Sequence, residues 1–365
     1  MKIGLLTIHN TQNYGSLLQT YSTYKALHEL GLDIDLIDYR NDAITRREKP
    51  NDLVESISVK QIVKYFIWGN AQKKKYNSIM QFLKENTSMS PEYDKTSIVN
   101  ANKVYEGFIV GSDIVWGTNI TGRDMTYFLD FTSDDKKRYS FSSSIGTKWT
   151  SEENDMIKPL LQRFDKISVR EELASEWIEE LMGEKPTVTC DPTVLWEPSF
   201  WNKFVLDGYA PKGKYVLIYA VNPDKRNISD GIEYAKKKGI PAYFINFYTP
   251  IRGTKTIRPT NVKEWITLFA KADTIFSASY HGLLFSLYFK KNVFFYNRGE
   301  KSRMISLSKS LKIENREGNA ENIEKDSPID YATVWEKLEQ KRTESWKVLE
   351  SMFNLSLIHI SEPTR

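Results

Sequence analysis

The chain contains very little cysteine and histidine. Of its 365 residues, one is cysteine and four are histidine. An intramolecular disulfide framework is therefore excluded, and Cys190 is interpreted as a buried structural thiol rather than a nucleophile. The cysteine and histidine spacings that are typical of zinc sites are absent as well, so we expect no metal. No window approaches the roughly 20 apolar residues that a membrane-spanning helix needs.

A strong charge of either sign is also missing. Lysine and arginine total 51 residues and aspartate and glutamate total 47, which gives a net charge of +4. This excess is too small to indicate a nucleic-acid partner. The first residues, Met1–Ile8, are too short and wrongly flanked to be a secretory signal, so we expect a cytoplasmic protein.

The apolar content predicts a folded chain with two cores. Hydrophobic residues make up 40% of the sequence and aromatic residues 13%, which are globular values. A chain of this length exceeds what one core usually supports, so we expect two domains. The alternation of apolar segments places these at residues 1–195 and 196–330, with a linker within 192–213. A C-terminal helix over 331–354 follows, and residues 355–365 resemble a translated sequencing adapter and are set aside.

The first segment of the chain predicts one strand–helix–strand unit. Lys2–Ile8 is a continuous apolar run of the kind that is buried in a parallel sheet. A polar turn leads from it into a helix, and Asp33–Tyr39 reads as the next strand. The turn has a single glycine, which argues against dinucleotide binding. Asn13, Tyr14 and Gly15 at the helix entrance are candidates for binding a phosphate or sugar, although a simple turn with an asparagine cap explains them equally.

Two further strand ends carry polar residues. The predicted strand Val104–Val110 is followed by Gly111, Ser112 and Asp113, where small residues allow close backbone approach and a carboxylate can bind sugar hydroxyls. Arg170 follows a shorter strand and begins a helix. It is a candidate for anion binding, and a structural salt bridge is the alternative.

His281 is the first candidate for chemistry. The apolar run Thr274–Ser279 predicts a strand, and His281 and Gly282 lead into an apolar helix. A strand, a tight turn and a helix start place a side chain at the carboxyl edge of a parallel sheet, where α/β proteins bind ligands. Backbone N–H groups at such a start favour an anion, which makes Ser279 and Gly282 candidates too. A capped histidine of the core is the alternative interpretation.

Strands and helices alternate through the second half of the chain as they do through the first. The predicted elements are Tyr215–Val221, Lys225–Lys238, Ala242–Phe247, Val262–Lys271, Thr274–Ser279 and Val293–Tyr296. We therefore predict an α/β protein with two Rossmann-like domains that face each other across a cleft.

One basic segment suggests a surface partner. Residues 60–84 contain six lysines and no acidic residue, with apolar and aromatic residues at helical spacing near its start. A basic amphipathic helix suits an anionic membrane surface, so residues 59–75 are a candidate for peripheral membrane contact. A solvated surface helix with one buried face is the alternative.

Several ordered segments together resemble the polysaccharide pyruvyl transferase family. They are Ile8-His9-Asn10, Asn13-Tyr14-Gly15-Ser16-Leu17-Leu18-Gln19, Val110-Gly111-Ser112-Asp113 with Trp116, Ser168-Val169-Arg170-Glu171, Asp191-Pro192-Thr193, Ser279-Tyr280-His281-Gly282 with Phe285-Ser286, and Ser302-Arg303. The resemblance covers the chain to about residue 312. It implies a fold like that of glycosyltransferases of the GT-B type, in agreement with the two predicted domains.

The resemblance implies transfer of a pyruvyl group from phosphoenolpyruvate to sugar hydroxyls of a polysaccharide or its precursor. It implies His281 as the acid/base and Arg170 and Arg303 as clamps on the donor's anionic groups, helped by Ser279 and Gly282. The acceptor would be a glycan or a lipid-linked sugar, and phosphoenolpyruvate would be a co-substrate, with no cofactor. Ala278 stands where the family often has aspartate, so the sequence offers no carboxylate there to orient His281.

Two other functions stay open on the sequence. Glycosyl transfer from a nucleotide sugar uses the same architecture. An inactive glycan- or nucleotide-binding module is the second alternative, and Ala278 is its one hint.

Overall fold

Two parallel β-sheets form the framework of the molecule, one in each half of the chain. The structure is a computed structural model that describes residues 1–48, 69–221, 225–297 and 303–354. Strands β1 to β7 of the first sheet are Lys2–Leu6, Asp33–Tyr39, Met89–Tyr93, Gly107–Gly111, Lys137–Ser143, Lys166–Val169 and Thr187–Val188. Strands β8 to β12 of the second sheet are Val216–Tyr219, Ala242–Ile245, Lys255–Ile257, Thr274–Ser277 and Asn292–Phe295.

Helices cover the sheets and connect their strands. Helices α1 to α13 are Tyr14–Glu29, Asp42–Glu48, Asn70–Asn86, Thr118–Thr121, Ser151–Leu161, Glu172–Met182, Pro198–Asn202, Lys225–Lys238, Val262–Lys271, Tyr280–Tyr288, Arg303–Leu311, Ala320–Lys325 and Tyr331–Met352. Short 3₁₀ helices occur at Ile98–Lys103, Met125–Phe128, Pro192–Leu195 and Glu314–Arg316.

The two sheets share one strand order. The first sheet runs β3-β2-β1-β4-β5-β6-β7 and the second β10-β9-β8-β11-β12, and neighbouring strands pair in parallel throughout both. In each sheet the order reverses between the first strand and the fourth, at β1/β4 and at β8/β11. Ligands of open α/β sheets bind outside the carboxyl ends of strands at such a reversal. The α/β prediction of two Rossmann-like domains in a GT-B arrangement is confirmed.

Aromatic packing joins the two domains beside this edge. Tyr14, at the start of α1, is fully buried, with its ring 5.8 Å from that of Trp265 in α9. Its hydroxyl donates a hydrogen bond to the carbonyl of Pro259 at 2.6 Å. Trp265 in turn packs against Phe285 of α10, with ring centroids 5.1 Å apart. The start of α1 is therefore fixed against the helix that carries His281.

The C-terminal helix α13 returns to the first domain. The Arg342 Nε donates to the carbonyl of Val194 at 2.9 Å, and the Cys190 backbone N–H donates to Ser345 Oγ at 2.9 Å. These contacts fix the segment just after β7, where Asp191 lies. In the parts of the chain that the structure describes, no helix is both long and apolar enough to cross a bilayer.

Several observed elements were not predicted from the sequence. Strands β3, β7 and β10 were not predicted, because β3 and β10 are edge strands without a continuous apolar run, and β7 has only two residues. Helix α3 begins at Asn70 and carries Lys73, Lys74 and Lys75. Residues 59–68 of the predicted basic helix and the adapter-like residues 355–365 lie outside the described residues.

Candidate active site

The loops that follow β1 and β4 form the first-domain wall of the site. Ser112 and Asp113, directly after β4, both have positive φ angles, 30° and 62°. Two consecutive non-glycine residues in this region are strained, and such strain collects at functional sites. The turn lets Asp113 accept a hydrogen bond from the hydroxyl of Ser16 in α1. Ser112 Oγ is buried and has no hydrogen-bond partner among the described residues.

Helix α10 brings His281 to this wall from the second domain. Ser279 caps the helix, since its hydroxyl accepts from the backbone N–H of Gly282 at 3.4 Å. A Cβ at Gly282 would collide with the hydroxyl of Ser277, so glycine lets the first turn of α10 pack against β11. Across the domain boundary, a Cβ at Gly15 would collide with Nδ1 of His281. The glycine in the first loop therefore makes room for the imidazole.

A buried carboxylate of the first domain holds the other ring nitrogen. His281 Nε2 lies 3.1 Å from Asp191 Oδ2, and an ionised carboxylate only accepts, so Nε2 carries the proton in this arrangement. Arg170 Nη1 donates to the same Oδ2 at 3.0 Å, and Thr193 donates twice to Oδ1. Burial alone would raise the pKa of Asp191, but His281 and Arg170 outweigh it and hold that pKa well below its usual range.

Arg170 is buried and only partly paired. Its side chain is 1% exposed, and Glu171 and Asp113 lie 3.7 and 3.9 Å from it in addition to Asp191. Its Nε and Nη2 have no hydrogen-bond partner among the described residues. Burial lowers the pKa of Arg170, but the three carboxylates outweigh that and raise it. The guanidinium is thus a permanent cation, and two of its donor nitrogens have hydrogen-bonding capacity left for an anionic ligand.

Arg303 lies close to the same aromatic ring as Arg170. The guanidinium carbon of Arg170 lies 5.2 Å from the Tyr280 ring centroid and that of Arg303 5.7 Å from it. Asp113 is 3.9 Å from Arg303 as well as from Arg170. The two arginines, Tyr280 and the His281–Asp191 pair therefore form one cluster.

Several cavities border this cluster, and two of them are large enough for a substrate. The first, of about 510 Å³, is lined by Arg170, Asp191, Tyr280, Arg303, Lys309 and Lys341, among other residues. We name it the arginine cavity. The second, of about 450 Å³, is the interdomain cleft, lined from the first domain by residues that include Asn13, Ser16, Lys75 and Asp113, and from the second by residues that include Asn246 and Tyr248. The site can hold an anionic ligand and a second ligand on different sides.

The structure assembles most of the residues that the sequence singled out. His281, Arg170, Arg303, Asp113 and Gly15 come together at one place. Asn13 lines the interdomain cleft, and Ser112 lies buried beside Asp113. Tyr14 was predicted to contact a ligand, and that prediction needs correction. Its side chain is fully buried and its hydroxyl is used by Pro259, so it offers a ligand no surface.

Asp191 and Tyr280 were missed as site residues, although both stand within ordered motifs of the sequence. Asp191 supplies to His281 the carboxylate that position 278 lacks. The signal was the motif Asp191-Pro192-Thr193 itself, because the strand before it, β7, has only two residues and was not predicted. Neighbouring Cys190 behaves as the sequence predicted for a structural thiol, since it is buried and burial raises its pKa to about 12.

Comparison with known structures supports the fold. A UDP-N-acetylglucosamine 2-epimerase from Rickettsia bellii matches with a TM-score of 0.54 at 9% identity, covering 97% of this chain and 96% of that one. The epimerase from Neisseria meningitidis bound to UDP-GlcNAc matches with a TM-score of 0.50 at 12% identity, covering 97% and 100%. An alpha-glucosyltransferase in complex with UDP matches with a TM-score of 0.50 at 10% identity, covering 96% of each chain. At these identities the likeness establishes the fold alone.

The family is established by the sequence itself. A comparison with curated proteins found no match. The family model described as polysaccharide pyruvyl transferase matches residues 13–300, a span that includes the loop of Gly15, the strained turn at Asp113, Asp191 and His281. The chain belongs to the polysaccharide pyruvyl transferase family, which is a family of enzymes.

Proposed function

We propose that the protein transfers a pyruvyl group from phosphoenolpyruvate to two hydroxyls of a sugar in a cell-surface polysaccharide or its precursor, forming a ketal and releasing phosphate. The single observation that carries the proposal is the buried Arg170. It lines the arginine cavity, it has two guanidinium nitrogens without a hydrogen-bond partner among the described residues, and it shares a carboxylate with His281. The proposal places the reaction in the cytoplasm.

The arginine cavity suits the donor. Phosphoenolpyruvate carries a carboxylate and a phosphate, and a guanidinium can contact each at two points. Arg170 is fixed by burial, whereas the Arg303 side chain keeps 27% of its surface exposed and lies on the same Tyr280 ring. Lys309 and Lys341 also line this cavity, alongside glutamate side chains. One buried and one accessible arginine thus offer separate contacts for the two anionic groups.

His281 suits the proton transfers. The first sugar hydroxyl adds to the central carbon of phosphoenolpyruvate. The double bond of the donor is lost, and the donor's methylene carbon gains a proton and becomes the methyl group. The second hydroxyl then displaces phosphate, and its proton leaves with the phosphate. Asp191 fixes the proton on Nε2, so Nδ1 is the nitrogen that can accept one. The ion pair with Asp191 also stabilises the imidazolium that forms when Nδ1 takes up the hydroxyl proton.

The test is phosphate release from phosphoenolpyruvate with a panel of sugar and glycan acceptors. His281→Gln should lower turnover about 10²- to 10⁴-fold, the usual contribution of a general acid or base. His28→Gln is the matched control, because His28 is an exposed histidine of α1, and it should keep full activity.

Two results would overturn the proposal in favour of its alternatives. If no acceptor supports phosphate release and a nucleotide sugar is consumed instead, the protein is a glycosyltransferase. If ligands bind without any turnover, and His281→Ala binds them as the wild type does, the protein is a binding module.

A further inference from the structure

The addition step of the proposed reaction moves two protons, and His281 accounts for one of them. Its Nδ1 accepts the proton of the first sugar hydroxyl, while Asp191 holds Nε2. The methylene carbon of phosphoenolpyruvate must gain a proton in the same step, and one ring nitrogen cannot accept one proton and donate another at that moment. The reaction therefore requires an acid beside the donor as well as a base.

One carboxyl side chain of the arginine cavity differs from the others. The described carboxyl side chains that line this cavity are those of Glu171, Glu172, Asp191 and Glu344. Glu172 and Glu344 are exposed to solvent. Asp191 is buried, but both of its oxygens already accept hydrogen bonds. Glu171 is buried as well, and its Oε2 has no hydrogen-bond partner among the described residues. Glu171 is therefore the buried carboxyl of this wall that has capacity left for a ligand.

The loop after β5 fixes Glu171 directly before α6. Ser144 donates a hydrogen bond to Glu171 Oε1 at 2.5 Å. On the other side of the carboxyl group, Arg170 Nε lies 3.7 Å from Oε2, and it also lacks a hydrogen-bond partner among the described residues. A buried carboxyl and a buried guanidinium thus lie side by side at the cavity where the donor is proposed to bind.

Burial favours the protonated form of Glu171. It raises the pKa of this carboxyl, while the charge of Arg170 and hydrogen bonds from Ser144 and from the backbone of residues 145 and 146 oppose the rise without cancelling it. A donor anion bound by Arg170 offsets the largest of these opposing effects, because it brings negative charge next to the guanidinium. Donor binding should therefore keep the proton on Glu171.

The other titratable groups of the site do not replace Glu171 as the acid. Those that face the cavity or lie next to Arg170 are Asp113, Asp191, Tyr280, Arg303, Lys309 and Lys341. The cations among them favour the carboxylate form of Glu171 until a bound donor offsets their charge. Tyr280 is a neutral acid in the same wall, but burial raises its pKa, so it holds its proton too tightly to donate it readily.

We propose that Glu171 is the acid of the addition step and donates its carboxyl proton to the methylene carbon of phosphoenolpyruvate. This inference rests on the proposed function and adds a second catalytic residue to it. The electron pair of the donor's double bond forms the new C–H bond, the sugar oxygen bonds to the central carbon, and the hydroxyl proton passes to His281 Nδ1. Glu171 is left as a carboxylate and His281 as an imidazolium.

Exchange with water then returns both residues to their starting states. Glu171 also lines a smaller cavity of about 210 Å³, together with Gly146 and Trp177. A cavity of this size has room for several water molecules. It offers Glu171 a route to a new proton that does not pass through the arginine cavity.

The first test is steady-state turnover with an acceptor that supports phosphate release. Glu171→Gln keeps an oxygen for Ser144 but has no carboxyl proton, so kcat should fall about 10²- to 10⁴-fold. The wild-type kcat should also fall as the pH rises and Glu171 loses its proton, and this alkaline fall should be absent from the residual activity of Glu171→Gln. Glu176→Gln is the matched control, because Glu176 is exposed on α6, and it should keep the wild-type rate and pH profile.

A binding measurement separates an acid from a residue that only supports Arg170. Calorimetric titration with phosphoenolpyruvate in two buffers of different ionisation heat gives the dissociation constant and the number of protons taken up. At alkaline pH the wild type should take up more protons on binding than Glu171→Gln does. Below the pH at which this difference begins, the two dissociation constants should agree within about 3-fold, because Glu171 is neutral in the free and in the bound protein.

Wild-type kcat in Glu171→Gln would overturn the inference, and so would a loss of activity that saturating phosphoenolpyruvate restores. Neither result affects the proposed reaction, which fails if no acceptor supports phosphate release. In that event the calorimetric comparison still tests Glu171 without turnover, and equal proton uptake by the wild type and Glu171→Gln would show that Glu171 does not hold a proton beside the donor.

Discussion

The two domains share a strand order but contribute different chemistry to the site. The first supplies fixed charge, because the buried Arg170 lies 3.0 Å from Asp191 and 3.9 Å from Asp113. The second supplies His281, the proposed proton-transfer group, on a helix that begins directly after β11. The hydrogen bond between His281 and Asp191 crosses from one domain to the other. In the proposed reaction, the first domain would therefore stabilise charge and the second would transfer the hydroxyl proton.

Removing the charge of Asp191 should have the largest effect on turnover, because Asp191 connects the two domains through its hydrogen bond with His281. In Asp191→Asn, the Thr193 contacts can persist, but an amide N–H would face Arg170 or His281, which are both donors. We expect turnover to fall about 10²- to 10⁴-fold, because the tautomer of His281 is no longer fixed. Loss of one partner from a buried pair should also lower the free energy of unfolding by about 3–5 kcal/mol. Steady-state kinetics and denaturant unfolding measure the two effects.

Two comparisons separate positioning from stability in this variant. The pH profile of turnover should change shape in Asp191→Asn, whereas Thr193→Val, which removes one hydrogen bond to the same carboxylate, should keep the wild-type profile. The pKa of Asp191 is lowered on folding, so its stabilisation is complete above about pH 4 and is lost as the pH falls further. The stability gap between wild type and Asp191→Asn should therefore narrow below pH 4. A constant gap would contradict the ion pair.

The sequence predicted what local pattern determines and missed what the fold brings together. The alternation of strands and helices predicted both domains, since buried parallel strands are continuous apolar runs. His281, Arg170 and Asp113 could be found because each follows a strand of a parallel sheet. The pairing of Asp191 with His281 could not, because 90 residues separate them and no local rule relates the edges of two different sheets. The contact of Gly15 with the His281 ring was hidden for the same reason.

Narrowing the space between the domains should have the next largest effect. In Gly15→Ala the new methyl group would collide with the His281 ring, so the imidazole must move away from the position that Asp191 sets. A displacement of this kind costs about 10²-fold in turnover, while overpacking should cost the fold about 1–3 kcal/mol.

Ser22→Ala, in the same helix but away from His281, is the control for Gly15→Ala and should keep wild-type turnover. Kinetics and thermal unfolding of both variants measure the difference. Wild-type turnover in Gly15→Ala would show that His281 does not need its position against the first domain. The proposed division of roles between the domains would then be contradicted.

Weakening the accessible arginine should have the smallest effect and should sharpen the contrast between fixed charge and proton transfer. Arg303→Lys keeps the positive charge next to Tyr280 but replaces a two-point donor by an ammonium group. We expect the KM for phosphoenolpyruvate to rise about 10-fold while kcat stays within about 3-fold of the wild type, because donor binding is lost and the His281–Asp191 pair is untouched. Arg303→Met should raise KM further, since it removes the charge as well.

Initial rates over a range of donor concentrations give both constants. An unchanged KM in Arg303→Lys would assign donor binding to the buried Arg170 alone, and a fall in kcat without a change in KM would place Arg303 in the chemical step.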